Sequence, residues 1–218
     1  MSPMRATELA DPASGVRSRP SVLRSWLVWT AGFLLFPLAG LLGTAAGGRV
    51  DGPVAAALGG LATGGAVGLG QVLVSSRRLP TLRWTLATAL GMGAGLLLGA
   101  HTVAYGTTLS QLAVMGALTG AVLGPVQALA LPRGTHLRWL WAVSMPVVWA
   151  AGWAVSTVVI GDAVDAQFAL FGASGALVVS AVLGGVLQVL QPPAAATTPP
   201  APPSSTRAQP AATTGDPS

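Results

Sequence analysis

The chain has no cysteine and no lysine, and charged residues make up only 8% of its 218 positions. The missing cysteine excludes disulfides, thiolate metal sites and cysteine nucleophiles. Soluble domains carry about 25% charged residues, so the low charge excludes an ordinary soluble fold. Arginine supplies all 11 of the lysine or arginine positions, and the net charge is +5. Because the arginines stand beside apolar runs, this balance indicates contact with a membrane surface and not with nucleic acid.

Long apolar runs take up most of the remaining sequence. A helix that crosses a bilayer needs roughly 20 apolar residues, and six runs reach that length. They lie at about 25–46, 53–75, 84–104, 109–131, 139–160 and 167–190. The runs lack two-residue alternation, and a helix satisfies its own backbone in lipid. The sequence therefore predicts an all-α membrane protein with six transmembrane helices.

The charges between the runs predict the orientation. Arginines cluster before run 1, between runs 2 and 3 and between runs 4 and 5, whereas the other loops hold Arg49 with three aspartates. By the positive-inside rule, both termini are cytoplasmic. Arginine-only basic usage beside abundant alanine and glycine is typical of a high-GC bacterial genome, so we expect the bacterial inner membrane. Run 1 also has features of a cleaved signal peptide, but its length and its place in the repeat described below predict that it is retained.

The two ends of the chain differ from the middle. Residues 1–22 are polar, and residues 192–218 are rich in proline, alanine and threonine. Such segments cannot bury enough apolar surface to offset their ordering entropy. We expect both to be disordered cytoplasmic tails around a transmembrane domain at 23–191. The alternative for the second tail is a proline-rich docking peptide.

An internal repeat divides the domain into three parts. "GLATGGAVGLGQVLV" at 60–74 returns as "GALTGAVLGPVQALA" at 116–130, and "LRW" at 82–84 returns at 137–139. Weaker copies are "LRSW" at 23–26 and "VLGGVLQVLQ" at 182–191. These matches predict three parallel hairpins, at about 23–75, 82–131 and 137–191, in a compact bundle with pseudo-three-fold symmetry. They also pair Trp139 with Trp84 and, with Trp26, place three indoles at the cytoplasmic interface.

Glycines at a spacing of four mark one face of three helices. Hydrophobicity does not drive helices together in lipid, so close packing of small residues must do so. These glycines form a glycine-zipper pattern: Gly60, Gly64, Gly68, Gly91, Gly95, Gly99, Gly116, Gly120 and Gly124. We interpret them as packing faces. The alternative is that they line a narrow pore.

Three glutamines are the candidate polar layer: Gln71, Gln127 and Gln188 follow a glycine by three residues near the cytoplasmic end of each even run. An unsatisfied amide in hydrocarbon costs several kcal/mol, whereas a satisfied bond between membrane helices contributes only about 0.6 kcal/mol. A lock on helix register therefore explains the glutamines better than net stability does. The alternatives are that the glutamine side chains line a cavity or pore, or that they extend to the membrane surface.

Other polar candidates are weak. No charged residue lies deep in a run, which argues against proton-coupled transport. His101 falls near the outer end of run 3, where a ligand or relay role is less expected than a surface position. Asp162 and Asp165 could bind a cation, although two carboxylates make a poor site and Asp165 is also a suitable N-cap. No catalytic, metal or cofactor motif is present, so we expect no enzyme and no cofactor.

The pattern GxxxGxxxGxxQxL, followed by a short turn and LRW, resembles a group of bacterial membrane proteins built from repeated Trp-rich hairpins. The resemblance covers roughly 23–191 and implies the fold, but the group has no settled activity to transfer. Those relatives often carry Trp directly after the glutamine, where this chain has Val72, Ala128 and Val189.

We therefore expect a non-enzymatic structural or partner subunit. Its partners are the lipid bilayer and another membrane protein or a second copy of the chain. The alternative is a small channel or facilitator for a small neutral solute or ion, with a glutamine-lined constriction.

Overall fold

Helices account for nearly all of the chain between the two tails. The structure is a computed structural model that describes residues 22–75, 78–161 and 168–190. Its helices are α1 (Val22–Ala31), α2 (Leu35–Gly47), α3 (Pro53–Val74), α4 (Thr81–Thr102), α5 (Leu109–Ala130), α6 (Arg138–Ile160) and α7 (Phe168–Leu190). With α1 and α2 counted as one span, six spans are long and apolar enough to cross a membrane. The predicted all-helical, six-span fold is confirmed, and the described ranges contain no strand.

The first span is interrupted near its middle. Pro37 has no backbone N–H, and its ring clashes with the carbonyl four residues earlier, which belongs to Phe33. A 3-10 turn, Gly32–Leu34, accordingly separates α1 from α2. Pro125 and Pro146 lie inside α5 and α6, which remain continuous.

Local signals set several helix starts. Gly52 precedes Pro53, whose missing N–H costs nothing at the first position of α3. Thr108 and Gln111 form a reciprocal capping box at the start of α5. These caps fix where the spans begin after short loops.

The spans form a closed ring. Each packs against the span before it and the span after it, and α7 closes the ring on α1 and α2. We call one end of the ring the arginine end, because Arg24, Arg78, Arg83, Arg133 and Arg138 lie there. The other end, with Arg49 and Asp51, is the opposite end. The six spans therefore surround a common interior.

Apolar side chains cover the outside of the ring. Many large apolar residues are exposed, and Val143, Val147 and Val158 on α6 are each more than two-thirds exposed. No charged side chain is buried in the described ranges. Such a surface is compatible with contact with a lipid bilayer.

Some predictions fall outside the described residues. These concern the N-terminal tail up to residue 21, the tail at 192–218, and the two loop aspartates, Asp162 and Asp165.

Candidate functional site

A chain of hydrogen bonds crosses four neighbouring spans near the arginine end. Trp84 Nε1 on α4 donates to Gln71 Oε1 on α3 at 2.9 Å. Trp141 Nε1 on α6 donates to Gln127 Oε1 on α5 at 3.1 Å. Thr88 joins the two pairs, because its hydroxyl accepts from Gln127 Nε2 at 2.9 Å and donates to the Trp84 carbonyl at 2.8 Å. Two of the predicted polar residues thus belong to one network.

Both glutamine amides are engaged by protein groups. Gln127 is only 1% exposed, and Gln71 is half-buried. Each amide oxygen accepts a hydrogen bond from an indole N–H, which would otherwise be unpaired in apolar surroundings. Because donor and acceptor lie on adjacent spans, each bond fixes the position of one span against the next.

Three indole rings fill the interior beside this network. The ring centroids of Trp84 and Trp141 are 5.7 Å apart, and those of Trp29 and Trp141 are 6.3 Å apart, both in the favourable edge-on geometry. Their helices, α1, α4 and α6, alternate around the ring, so the side chains meet across its interior. None of the three is more than 4% exposed. We call Trp29, Trp84 and Trp141 the tryptophan plug.

Gln188, the third predicted member of the polar layer, lies apart from the network. It is half-buried, and no hydrogen bond joins its amide to another described residue. A Cβ added at Gly185, three residues earlier, would meet no atom within 4 Å. At the contact between α7 and α1, the hydrogen bond comes from another residue. Trp26 Nε1 on α1 donates to the Ala181 carbonyl on α7 at 2.9 Å. The structure therefore brings together two of the three glutamines.

All nine predicted packing glycines lie against a neighbouring span. A Cβ added at any of them would come within 3.0 Å of another atom. The glycines of α3 face α4, those of α4 face α5, and those of α5 face α6. None of the nine lines the cavity described below.

The glycine contacts recur along the chain. A Cβ added at Gly60 would lie 2.8 Å from the Met92 carbonyl oxygen, and one at Gly116 would lie 2.8 Å from that of Trp149. The two glycines are 56 residues apart and the two partners 57. A second contact joins each odd span to the following even span, through the pairs Gly43 and Thr63, Gly95 and Thr119, and Gly152 and Gly175.

Trp141, and not Trp139, takes the position that corresponds to Trp84. Trp139 is 57% exposed, whereas Trp84 and Trp141 are fully buried. The connection from α3 to α4 has six residues and that from α5 to α6 has seven, so the LRW match pairs Trp84 with Trp139 and not with the indole that bonds to Gln127. Trp84 does not project outward from the ring, because its indole is fully buried and bonds to Gln71.

A cavity of about 80 Å³ lies in the interior, and all six spans contribute to its wall. Met92 and Trp149 line it, eight residues beyond Trp84 and Trp141. At 1.5 Å per residue, that places the cavity roughly 12 Å beyond the tryptophan plug, towards the opposite end. Its wall is mainly apolar and contains no charged residue, with Thr119 among its few polar side chains.

The remaining candidates do not join this site. His101 is exposed at the opposite end, where its ring lies 6.4 Å from that of Tyr105. Among the described side chains, no three histidines, aspartates or glutamates come close enough to hold a metal ion. The chemistry available in the interior is therefore hydrogen bonding by hydroxyl, amide and indole groups.

Sequence reasoning missed the tryptophans that build the interior. Trp29, Trp141 and Trp149 were absent from the predicted site, although Trp84 and Trp141 follow the repeated glutamines by 13 and 14 residues. That spacing was a usable signal, because a short turn brings such a donor back beside the amide. Nothing comparable pointed to Trp149.

Comparison of the chain with protein-family models, with curated proteins and with solved structures gives no significant match.

Proposed function

We propose that this protein is a non-enzymatic structural or partner subunit of the bacterial inner membrane. The observation that carries the proposal is the filled interior at the arginine end. The tryptophan plug occupies the space that a conduit would need, and the amides of Gln71 and Gln127 bind indoles. The exposed apolar faces leave lipid or another membrane protein as the partner.

The proposal includes three parallel hairpins related by pseudo-three-fold symmetry, as in the Trp-rich hairpin proteins that the sequence resembles. Support comes from the recurring contacts: glycine positions repeat at an offset of 56 between α3 and α5, and their partners at 57 between α4 and α6. The second set of contacts occurs three times, once for each odd span. The α7–α1 contact, where Gln188 takes no part, is the divergent copy.

Photo-crosslinking in the native membrane tests the partner role. A benzophenone amino acid at Val143 or Val147, both 71% exposed on α6, samples one outer face, and one at Leu90 on α4 samples another. We expect a discrete protein adduct from one face and only lipid adducts from the other. The absence of protein adducts from every exposed face of the ring would contradict the proposal.

A small channel or facilitator for a small neutral solute or ion is the second candidate, and the interior cavity is the observation that favours it. Fluxes of water, glycerol and potassium into proteoliposomes, measured with a self-quenching dye inside the vesicles, distinguish a structural subunit from a facilitator. A structural subunit leaves these fluxes at the level of protein-free vesicles. Trp141→Ala removes one ring of the tryptophan plug and serves as a control with a more open interior. Flux through the unmodified protein would favour the facilitator.

The proposal also places both termini in the cytoplasm, so the arginine end faces inward. The absence of cysteine makes single-cysteine labelling unambiguous. Gly134→Cys at the arginine end and Thr107→Cys at the opposite end are matched exposed positions. In intact spheroplasts, we expect an impermeant maleimide to label only the second. Labelling of the first alone would reverse the orientation.

A further inference from the structure

A second, smaller cavity lies where the first span meets α3 and α7. Its volume is about 10 Å³, and its wall includes Trp29, Gly32, Gln71 and Ser180. Gly32 belongs to the 3-10 turn that separates α1 from α2 in front of Pro37. The interruption of the first span therefore borders this space, which we call the small cavity.

Three side chains in the wall of the small cavity carry a polar atom without a partner. Trp29 Nε1, Gln71 Nε2 and Ser180 Oγ make no hydrogen bond with any described residue. Trp29 is only 4% exposed and Ser180 only 6%. None of the three atoms is sealed inside the protein, unlike Trp149 Nε1, and the cavity wall includes polar surface. The small cavity is the space that all three residues share, so a common partner for these atoms has to lie there.

The size and chemistry of the small cavity restrict what can occupy it. A volume of about 10 Å³ is close to the minimum for one water molecule, which needs about two to four polar partners. Indole and amide N–H groups only donate hydrogen bonds, whereas a hydroxyl also accepts them. The occupant must therefore accept from Trp29 and Gln71 and can donate to Ser180. No described wall residue is charged, so an ion would lose its hydration without compensation.

We propose that the small cavity binds one structural water molecule, which accepts from Trp29 Nε1 and Gln71 Nε2 and donates to Ser180 Oγ. Buried waters typically make about three hydrogen bonds to groups that are otherwise unpaired. Through Gln71, the water joins α1 and α7 to the chain of hydrogen bonds that links α3, α4, α5 and α6. All six spans then share one network, to which α7 contributes Ser180 and not Gln188. This site is independent of whether the protein also acts as a partner subunit.

Cross-relaxation between water and side-chain N–H protons, measured by NMR on the full-length protein in detergent, tests the proposal. We expect a strong cross-peak from water to the Trp29 indole and to the Gln71 amide, because a bound water stays beside both groups. The Trp141 indole is the matched reference, since it is fully buried and bonds to Gln127, and it should show no such peak. A signal at Trp29 or Gln71 that is no stronger than at Trp141 overturns the proposal.

Two substitutions at Ser180 distinguish a bound water from the serine hydroxyl, whose proton exchanges with water and can give the same signal. Ser180→Ala removes the hydroxyl but leaves the space and both donors, so the cross-peak at Gln71 persists. Ser180→Val fills the space with a methyl group and abolishes the cross-peak. Gly185→Val, whose added Cβ meets no atom within 4 Å, is the matched control on α7 and retains it. Loss of the signal in Ser180→Ala, or its retention in Ser180→Val, overturns the water site, and circular dichroism confirms that each variant is folded.

Discussion

The α5–α6 contact and the α7–α1 contact derive from similar sequences but are built differently. On α5, glycines bring the backbone of α6 close, and Gln127 bonds to Trp141. On α7, the nearest atom to a Cβ added at Gly184 belongs to the Trp29 ring, 2.8 Å away, and Gln188 bonds to no described residue. A glutamine can act as a lock only where a donor side chain on the next span lies within hydrogen-bond reach. The motif alone does not create the contact.

The largest effect expected from this comparison concerns the glycines. A Cβ at Gly120 would lie 2.9 Å from Pro146 Cα and nearer still to the Met145 carbonyl oxygen, so backbone would have to move. We expect Gly120→Ala to lower the free energy of unfolding by about 3 kcal/mol, the upper part of the range for overpacking. The measurement is reversible unfolding in mixed micelles of dodecyl maltoside and SDS.

Gly185→Ala is the matched control for that prediction. Its added Cβ meets nothing within 4 Å, and replacing glycine inside a helix gains about 0.5–1 kcal/mol. The two alanine substitutions should therefore shift stability in opposite directions. Destabilisation by Gly185→Ala equal to that by Gly120→Ala would remove the distinction between the two contacts.

An intermediate effect is expected from the glutamines. Gln127→Leu removes two hydrogen bonds and leaves the buried Trp141 N–H without a partner, at a cost of about 1–3 kcal/mol. Gln188→Leu removes no described hydrogen bond and should change stability by less than about 0.5 kcal/mol. Unfolding of both variants in the same mixed micelles provides the comparison. If Gln127→Leu is as stable as the unmodified protein, the register-lock hypothesis fails.

The spans were readable from the sequence because their determinants are local. Length and apolar character fix a membrane helix wherever it lies along the chain. The glycine positions were equally accessible, since a spacing of four keeps residues on one helix face. Gln71 and Gln127 were found because they recur at a fixed distance after those glycines. Each of these inferences needed only the periodicity of a single helix.

The partners of the glutamines were harder to predict because they depend on helix rotation. Trp139 and Trp141 are two residues apart and point to nearly opposite sides of α6, so the choice between them requires the position of α5. The LRW match favoured the wrong one. The cavity was inaccessible for a related reason. It arises from the combination of Gly40 and Gly175 on two spans distant in sequence.

The smallest effect expected concerns the only indole hydrogen bond described at the α7–α1 contact. Trp26 Nε1 donates to the Ala181 carbonyl, which as part of a helix also accepts a backbone N–H, so removal of the indole donor leaves no orphaned acceptor. The hydrogen-bond contribution lost in Trp26→Phe should therefore be no more than about 0.6 kcal/mol. Trp84→Phe leaves Gln71 Oε1 without its donor and should cost more. Measuring Trp84→Phe with and without Gln71→Leu separates the hydrogen bond from the lost ring contacts. A coupling energy near zero in that cycle would mean that the Trp84 hydrogen bond contributes as little as that of Trp26. That result would contradict the proposed difference between glutamine-bonded indoles and the indole at the α7–α1 contact.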